Sequence, residues 1–132
     1  MPLIHGLIVF ALFIIIDLIW LGFVGKGLYQ KYIGHLLKKD VNWPAALIFY
    51  ALFVIGLTFF AVTPAIESGA FSEAVFLGGF FGLLMYATYD LTNLATLEGW
   101  SVEITVIDMI WGTFLGATVS GLSLLIIQAV GA

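Results

Sequence analysis

Residues 86–111 read YATYDLTNLATLEGWSVEITVIDMIW, joining the end of one apolar run to the start of the next. Asp90 lies late in the first run and Asp108 early in the second, with only Glu98-Gly99-Trp100-Ser101 between the runs as a turn. A tight helical hairpin follows, and it carries both carboxylates at a similar depth. Asn93 and several threonines add to the polar content of this stretch, which marks it as the place where function resides.

The rest of the chain explains why a carboxylate here is unusual. Of 132 residues, 63% are hydrophobic and 9% charged, against roughly 25% charged in soluble domains. Such a chain belongs in a bilayer. At ~20 residues per spanning helix, its length allows four spans with short connections and no soluble domain. The expected architecture is an all-α integral membrane protein: a four-transmembrane-helix bundle with a short amphipathic interfacial helix between helices 1 and 2. Residues 1–132 form a single membrane domain. The absence of cysteine excludes disulfides, thiolate metal sites and a cysteine nucleophile, and the two histidines, His5 and His35, are too few for a histidine-rich metal site. No cleavable signal peptide is expected, because the first apolar run has no basic n-region and no small-residue cleavage site. The net charge of −4 gives no reason to expect nucleic acid, since the four lysines sit together in one loop.

Helix 1 is expected over about 3–24, ending among Gly22, Gly25 and Gly27. In residues 26–40 apolar positions recur in pairs every four residues against Lys26, Lys31, Lys38 and Lys39. That is the pattern of a basic amphipathic helix lying in the interface, with its tyrosines among headgroups. Asn42-Trp43-Pro44 opens helix 2, about 44–66, with asparagine suited to an N-cap and proline to a first turn; Pro64 either kinks or ends it. Ser72 is placed to cap helix 3, about 73–97, and helix 4 covers about 101–128. Because the chain has no arginine and all its lysines lie in the first connection, the positive-inside rule places that connection in the cytoplasm. The expected location is the inner (cytoplasmic) membrane, crossed several times. Gly78, Gly79 and Gly82 on helix 3, and Gly112, Gly116 and Ser120 on helix 4, offer the small-residue faces that let helices approach closely in lipid.

Counted from the lysine-bearing end, Asp17, Tyr50, Asp90 and Asp108 all fall ~10 to 13 Å into the bundle at 1.5 Å per residue. An ionisable side chain within a span costs at least ~2.5 kcal/mol and so turns toward the bundle interior or a water-filled cavity. The three acids also share a local pattern: Asp17 with Trp20, Asp90 with Asn93, and Asp108 with Trp111. Residues three apart share a helix face, so each acid is expected to bring its own hydrogen-bond donor into one pocket. No lysine or arginine lies within the spans, so the three acids are protonated or balanced by a bound proton, metal ion or organic cation; alternatively, they simply hydrogen-bond the helices together. Tyr50, Tyr86 and Tyr89 are candidates for an aromatic wall facing a cation. Asp17, Asp90 and Asp108 are the candidate metal ligands, no catalytic residue is assigned, and no cofactor is indicated.

At these residues the chain resembles the bacterial and archaeal membrane family catalogued as Domain of Unknown Function 2177. The resemblance rests on Asp17 with Trp20-Leu21-Gly22, on Asn42-Trp43 with Ala45-Ala46 and Phe49-Tyr50, and on Phe60-Ala61-Val62 with Pro64-Ala65. It continues through the run Tyr86 to Leu97, Trp100, and Asp108 with Trp111-Gly112-Thr113. Ser101 stands where the family often has proline. The resemblance implies a small multi-span inner-membrane protein and no particular activity. In size and in the acid of helix 1 the chain also looks like the small multidrug transporters, which suggests a homo-oligomer, but it lacks their motifs. The expected function is binding or transport of a proton, metal ion or small cationic solute. The alternatives are an enzyme acting on a lipid or isoprenoid ligand, with one acid as general acid or base, and a structural or regulatory membrane subunit.

Overall fold

The computed structural model describes residues 2–132. Four helices are long and apolar enough to cross a membrane: α1 (Pro2–Leu36), α2 (Trp43–Ser68), α3 (Phe71–Thr96) and α4 (Val102–Val130). Among the described residues there is no strand.

The first helix does not end at its glycines. It passes through a π-helical stretch, Trp20–Gly25, into Lys26–Ile33 and closes in a 3-10 turn, Gly34–Leu36. The segment expected as an interfacial helix over 26–40 is therefore helical only as far as Leu36, and it continues α1 without a break. A glycine costs a helix only ~1 kcal/mol relative to alanine, too little to stop one flanked by leucine, phenylalanine and valine. Asn42 caps α2 as expected, accepting from the Ala45 backbone N–H at 3.2 Å, with Pro44 in the first turn. Pro64 does not end α2. The five π-helical residues Thr58–Val62 precede it and absorb the missing N–H and the clash of its ring with the preceding turn. The helix then runs to Ser68 and stops at Gly69, whose φ of 73° suits glycine.

α3 starts earlier than its expected cap: the N-cap position is Ala70, in extended conformation, and Ser72 lies in the first turn. α4 starts after Ser101, whose hydroxyl accepts from the Ile104 N–H at 3.1 Å. Between α3 and α4, Gly99 turns the chain at φ 78°, and the His35 ring from the end of α1 packs beside it. At the other end of the bundle His5 Nε2 lies 3.1 Å from the Ala132 carbonyl oxygen. The four helices thus alternate in direction, and the lysine segment and the Gly99 hairpin share one end.

α3 and α4 form the most extensive helix pair. A Cβ on Gly82 would strike the Gly112 carbonyl, one on Gly78 the Gly116 carbonyl and the Ser120 side chain, and one on Gly116 the Gly78 carbonyl. Backbone meets backbone along this seam, which only small residues permit. Against it pack Val9 and Phe13 of α1 and Phe53, Val54 and Leu57 of α2, all buried. The fit of α2 to α3 is uneven. The backbone of its π-helical and last turns lies close to α3, whereas that of Trp43–Leu57 stands off and meets α3 through side chains, Phe53 against Phe81 and Tyr86, so the two helices splay toward the lysine end.

Candidate functional site

The splayed end of the bundle holds the polar groups. Asp17 of α1, Asp90 of α3 and Asp108 of α4 are all buried. The Tyr29 hydroxyl donates to Asp108 Oδ1 at 2.5 Å, and the Trp20 indole N–H donates to the Tyr29 oxygen at 3.1 Å. Both rings close over Gly25, where a Cβ would lie 2.7 Å from Trp20 Nε1 and 2.9 Å from a Tyr29 ring carbon. Glycine is thus required here by close approach. The Trp20 ring in turn stacks on Trp111, with centroids 4.3 Å apart and planes 8° from parallel.

Asp17 faces Tyr50 of α2 and Trp111 of α4. The Trp111 N–H points that way but is buried short of hydrogen-bond geometry with any acceptor. Tyr86, whose ring fills the space left by the missing side chain of Gly112, has Asp17 and Asp108 as its charged neighbours and packs edge-on to Phe53 at 6.0 Å. Asp90 is 0% exposed, and neither of its oxygens receives a hydrogen bond from a conventional donor. Its neighbour is the Asp108 carboxyl group.

Beside Asp108 opens a cavity of about 470 Å³ lined by Phe49, Met85, Tyr86, Tyr89 and Asp108. It occupies the gap where α2 splays from α3. Tyr89 is largely exposed at its rim and meets Trp100 edge-on, with centroids 5.8 Å apart.

The expected polar residues of all four helices do gather at this end, but not in the expected pairs. No acid uses the donor three residues along its own helix. Trp20 reaches Asp108 through Tyr29, Trp111 faces Asp17, and Asn93 lies by Tyr89, leaving Asp90 without an amide partner. Trp20 opens a π-helical stretch that shifts its register relative to Asp17, and its indole donates to Tyr29 instead. Nor do the acids gather as a metal cage: among the described residues no three histidine, aspartate or glutamate side chains are placed to hold a metal ion. Asp90 is turned to Asp108, and Asp17 to Tyr50 and Trp111.

Tyr29 is the site residue that the sequence pattern misassigned. It lies on the apolar face of residues 26–37, of which Tyr29 and Ile33 turn onto the bundle while Leu36 and Leu37 stay exposed. Phe49 and Met85 carry no polar or charge signal, being apolar residues in apolar helices.

Four span-length apolar helices enclosing these groups define a multi-pass membrane protein. The chain belongs to the family of predicted membrane proteins designated Domain of Unknown Function 2177, whose model matches residues 3–125 and so takes in every residue of the site. No curated protein and no solved structure matches it.

Proposed function

We propose that the protein binds a small cation in exchange for a proton, with Asp108 as the anchor common to both, in the inner (cytoplasmic) membrane with its lysine-bearing end inward. The observation that carries this reading is Asp90: a fully buried carboxyl group without a donor, set against a second carboxyl group. Two like charges ~4 Å apart repel by about 4 kcal/mol at an effective dielectric of 20. The chain's only lysines lie in residues 26–39 and it has no arginine, so no protein cation is positioned to offset that repulsion. The Asp90 and Asp108 carboxyls therefore hold a proton between them until a cation takes its place, much as paired carboxylates share one elsewhere. Tyr29 leaves one Asp108 oxygen for this exchange, and Tyr86 and Tyr89 supply ring faces toward the cavity.

Calorimetry of the full chain in lipid nanodiscs tests this with sodium, tetramethylammonium and tetraphenylphosphonium as probes, each titrated in phosphate and in Tris. At least one should bind with a heat that differs between the buffers in proportion to proton release. Asp90→Asn should remove the difference, and Asp108→Asn should weaken the binding. Equal heats in both buffers for every probe would overturn the exchange.

A further inference from the structure

Resting on that reading, we propose that the ligand is a lipophilic monovalent cation, an ammonium or phosphonium bearing apolar or aromatic substituents, and that it reaches Asp108 sideways from the hydrocarbon between α2 and α3. The cavity beside Asp108 is walled by two tyrosines, a phenylalanine and a methionine, and Asp108 is the one ionisable carboxylate in its lining. One carboxylate set in an aromatic and thioether wall matches a single diffuse positive charge carried on an apolar body. A strongly hydrated ion such as sodium would need several oxygen ligands that this wall does not offer.

The route follows from which wall residues face outward. Phe49 is 45% exposed, Met85 40% and Tyr89 57%, and they line the gap left where the first part of α2 stands off α3. Phe49 lies seven residues beyond Asn42, ~10 Å from that helix end at 1.5 Å per residue, a depth that meets acyl chains and not bulk water. An opening at that depth admits what already partitions into hydrocarbon. Access from the lysine end is narrowed by Tyr29 and Trp20, which close over Gly25 above Asp108.

The same nanodisc calorimetry decides the matter by rank order. Tetraphenylphosphonium should bind at least about tenfold more tightly than tetramethylammonium, since it adds ring contacts and apolar burial to the same charge. Asp108→Asn should lower its affinity, which separates site binding from partition into lipid. Met85→Trp, which fills the opening from a half-exposed position without entering the core, should weaken phosphonium binding about tenfold by overpacking the gap. Phe76→Trp, on an exposed face of α3 away from the cavity, should leave it within about twofold. Tetramethylammonium or sodium binding as tightly as the phosphonium, with proton release, would overturn the lipophilic ligand and leave the exchange reading standing. Proton release with none of the probes would sink that reading and this one together. Phosphonium binding indifferent to Asp108→Asn would overturn Asp108 as the anchor in both readings, and binding indifferent to Met85→Trp would overturn the sideways route alone.

Discussion

Tyr29 donates a 2.5 Å hydrogen bond to Asp108 across 79 positions of sequence, and it ties the far end of α1 to the start of α4. Without it the last turns of α1 would have little hold on the bundle, since few of their side chains are buried; Ile33 is one. A hydrogen bond contributes ~0.5–1.5 kcal/mol net, and ~1.5–3 kcal/mol when it involves a charged group. Tyr29→Phe keeps the ring over Gly25 and removes only the hydroxyl, so it is expected to destabilise the protein by about 2 kcal/mol. Thermal unfolding in detergent measures this; an unchanged midpoint would mean that the bond does not hold α1 in place.

The glycine seam makes a sharper prediction, because two glycines one turn apart behave differently. On Gly82 a Cβ would run into the Gly112 carbonyl, whereas on Gly79 it would lie 3.4 Å from the Ala117 Cβ, an ordinary contact. Gly82→Ala must push two helix backbones apart and should cost ~1–3 kcal/mol or more. Gly79→Ala gains helix propensity and should be neutral or mildly stabilising. Equal effects of the two substitutions would show that α3 and α4 do not meet in this register.

Much of this arrangement is written openly in the chain. Runs of apolar residues locate the four spans, Asn42 and Ser101 announce the starts of α2 and α4, and glycines at four-residue spacing announce the seam. Those features are local, and local physics decides them. The site is different. Tyr29 follows a perfect amphipathic pattern, but periodicity reports only that it lies on an apolar face, and protein interior and membrane interface are equally apolar answers. Donor pairing between helices depends on rotation of one helix against another, which the π-helical stretch at Trp20–Gly25 resets without any proline to signal it. Phe49 and Met85 acquire meaning only from the gap beside them.

The Trp20–Trp111 stack offers a spectroscopic check on the docking of α1 against α4. Two indoles 4.3 Å apart and nearly parallel are coupled oscillators, and stacking of this kind contributes ~0.5–1.5 kcal/mol beyond area burial. The folded protein should show an exciton couplet in its ultraviolet circular dichroism. Trp111→Phe should abolish the couplet, and Trp43→Phe, at the exposed start of α2, should leave it intact. A couplet that survives Trp111→Phe would place a different pair of indoles in contact.

Asp90→Asn separates a functional carboxylate from a structural one by the sign of its effect on stability. In the native chain Asp90 has no donor apart from the Asp108 carboxyl group it faces, so the pair is satisfied only while it holds its shared proton. Asparagine has nearly the same shape, but it carries no charge and presents an N–H₂ group that can donate to the Asp108 carboxylate. The amide keeps the contact with Asp108 satisfied whether or not a proton is present, and it removes the like-charge repulsion of about 4 kcal/mol that the native pair meets whenever its proton leaves. The variant is therefore expected to unfold at a higher temperature than the native protein near neutral pH while it loses the proton released on cation binding. Gain of stability with loss of exchange is the trade expected of a residue kept for its chemistry. A carboxylate that served only to join α3 to α4 would give the reverse, a lower unfolding temperature with exchange unaffected, and unfolding scans run beside the two-buffer calorimetry distinguish the outcomes.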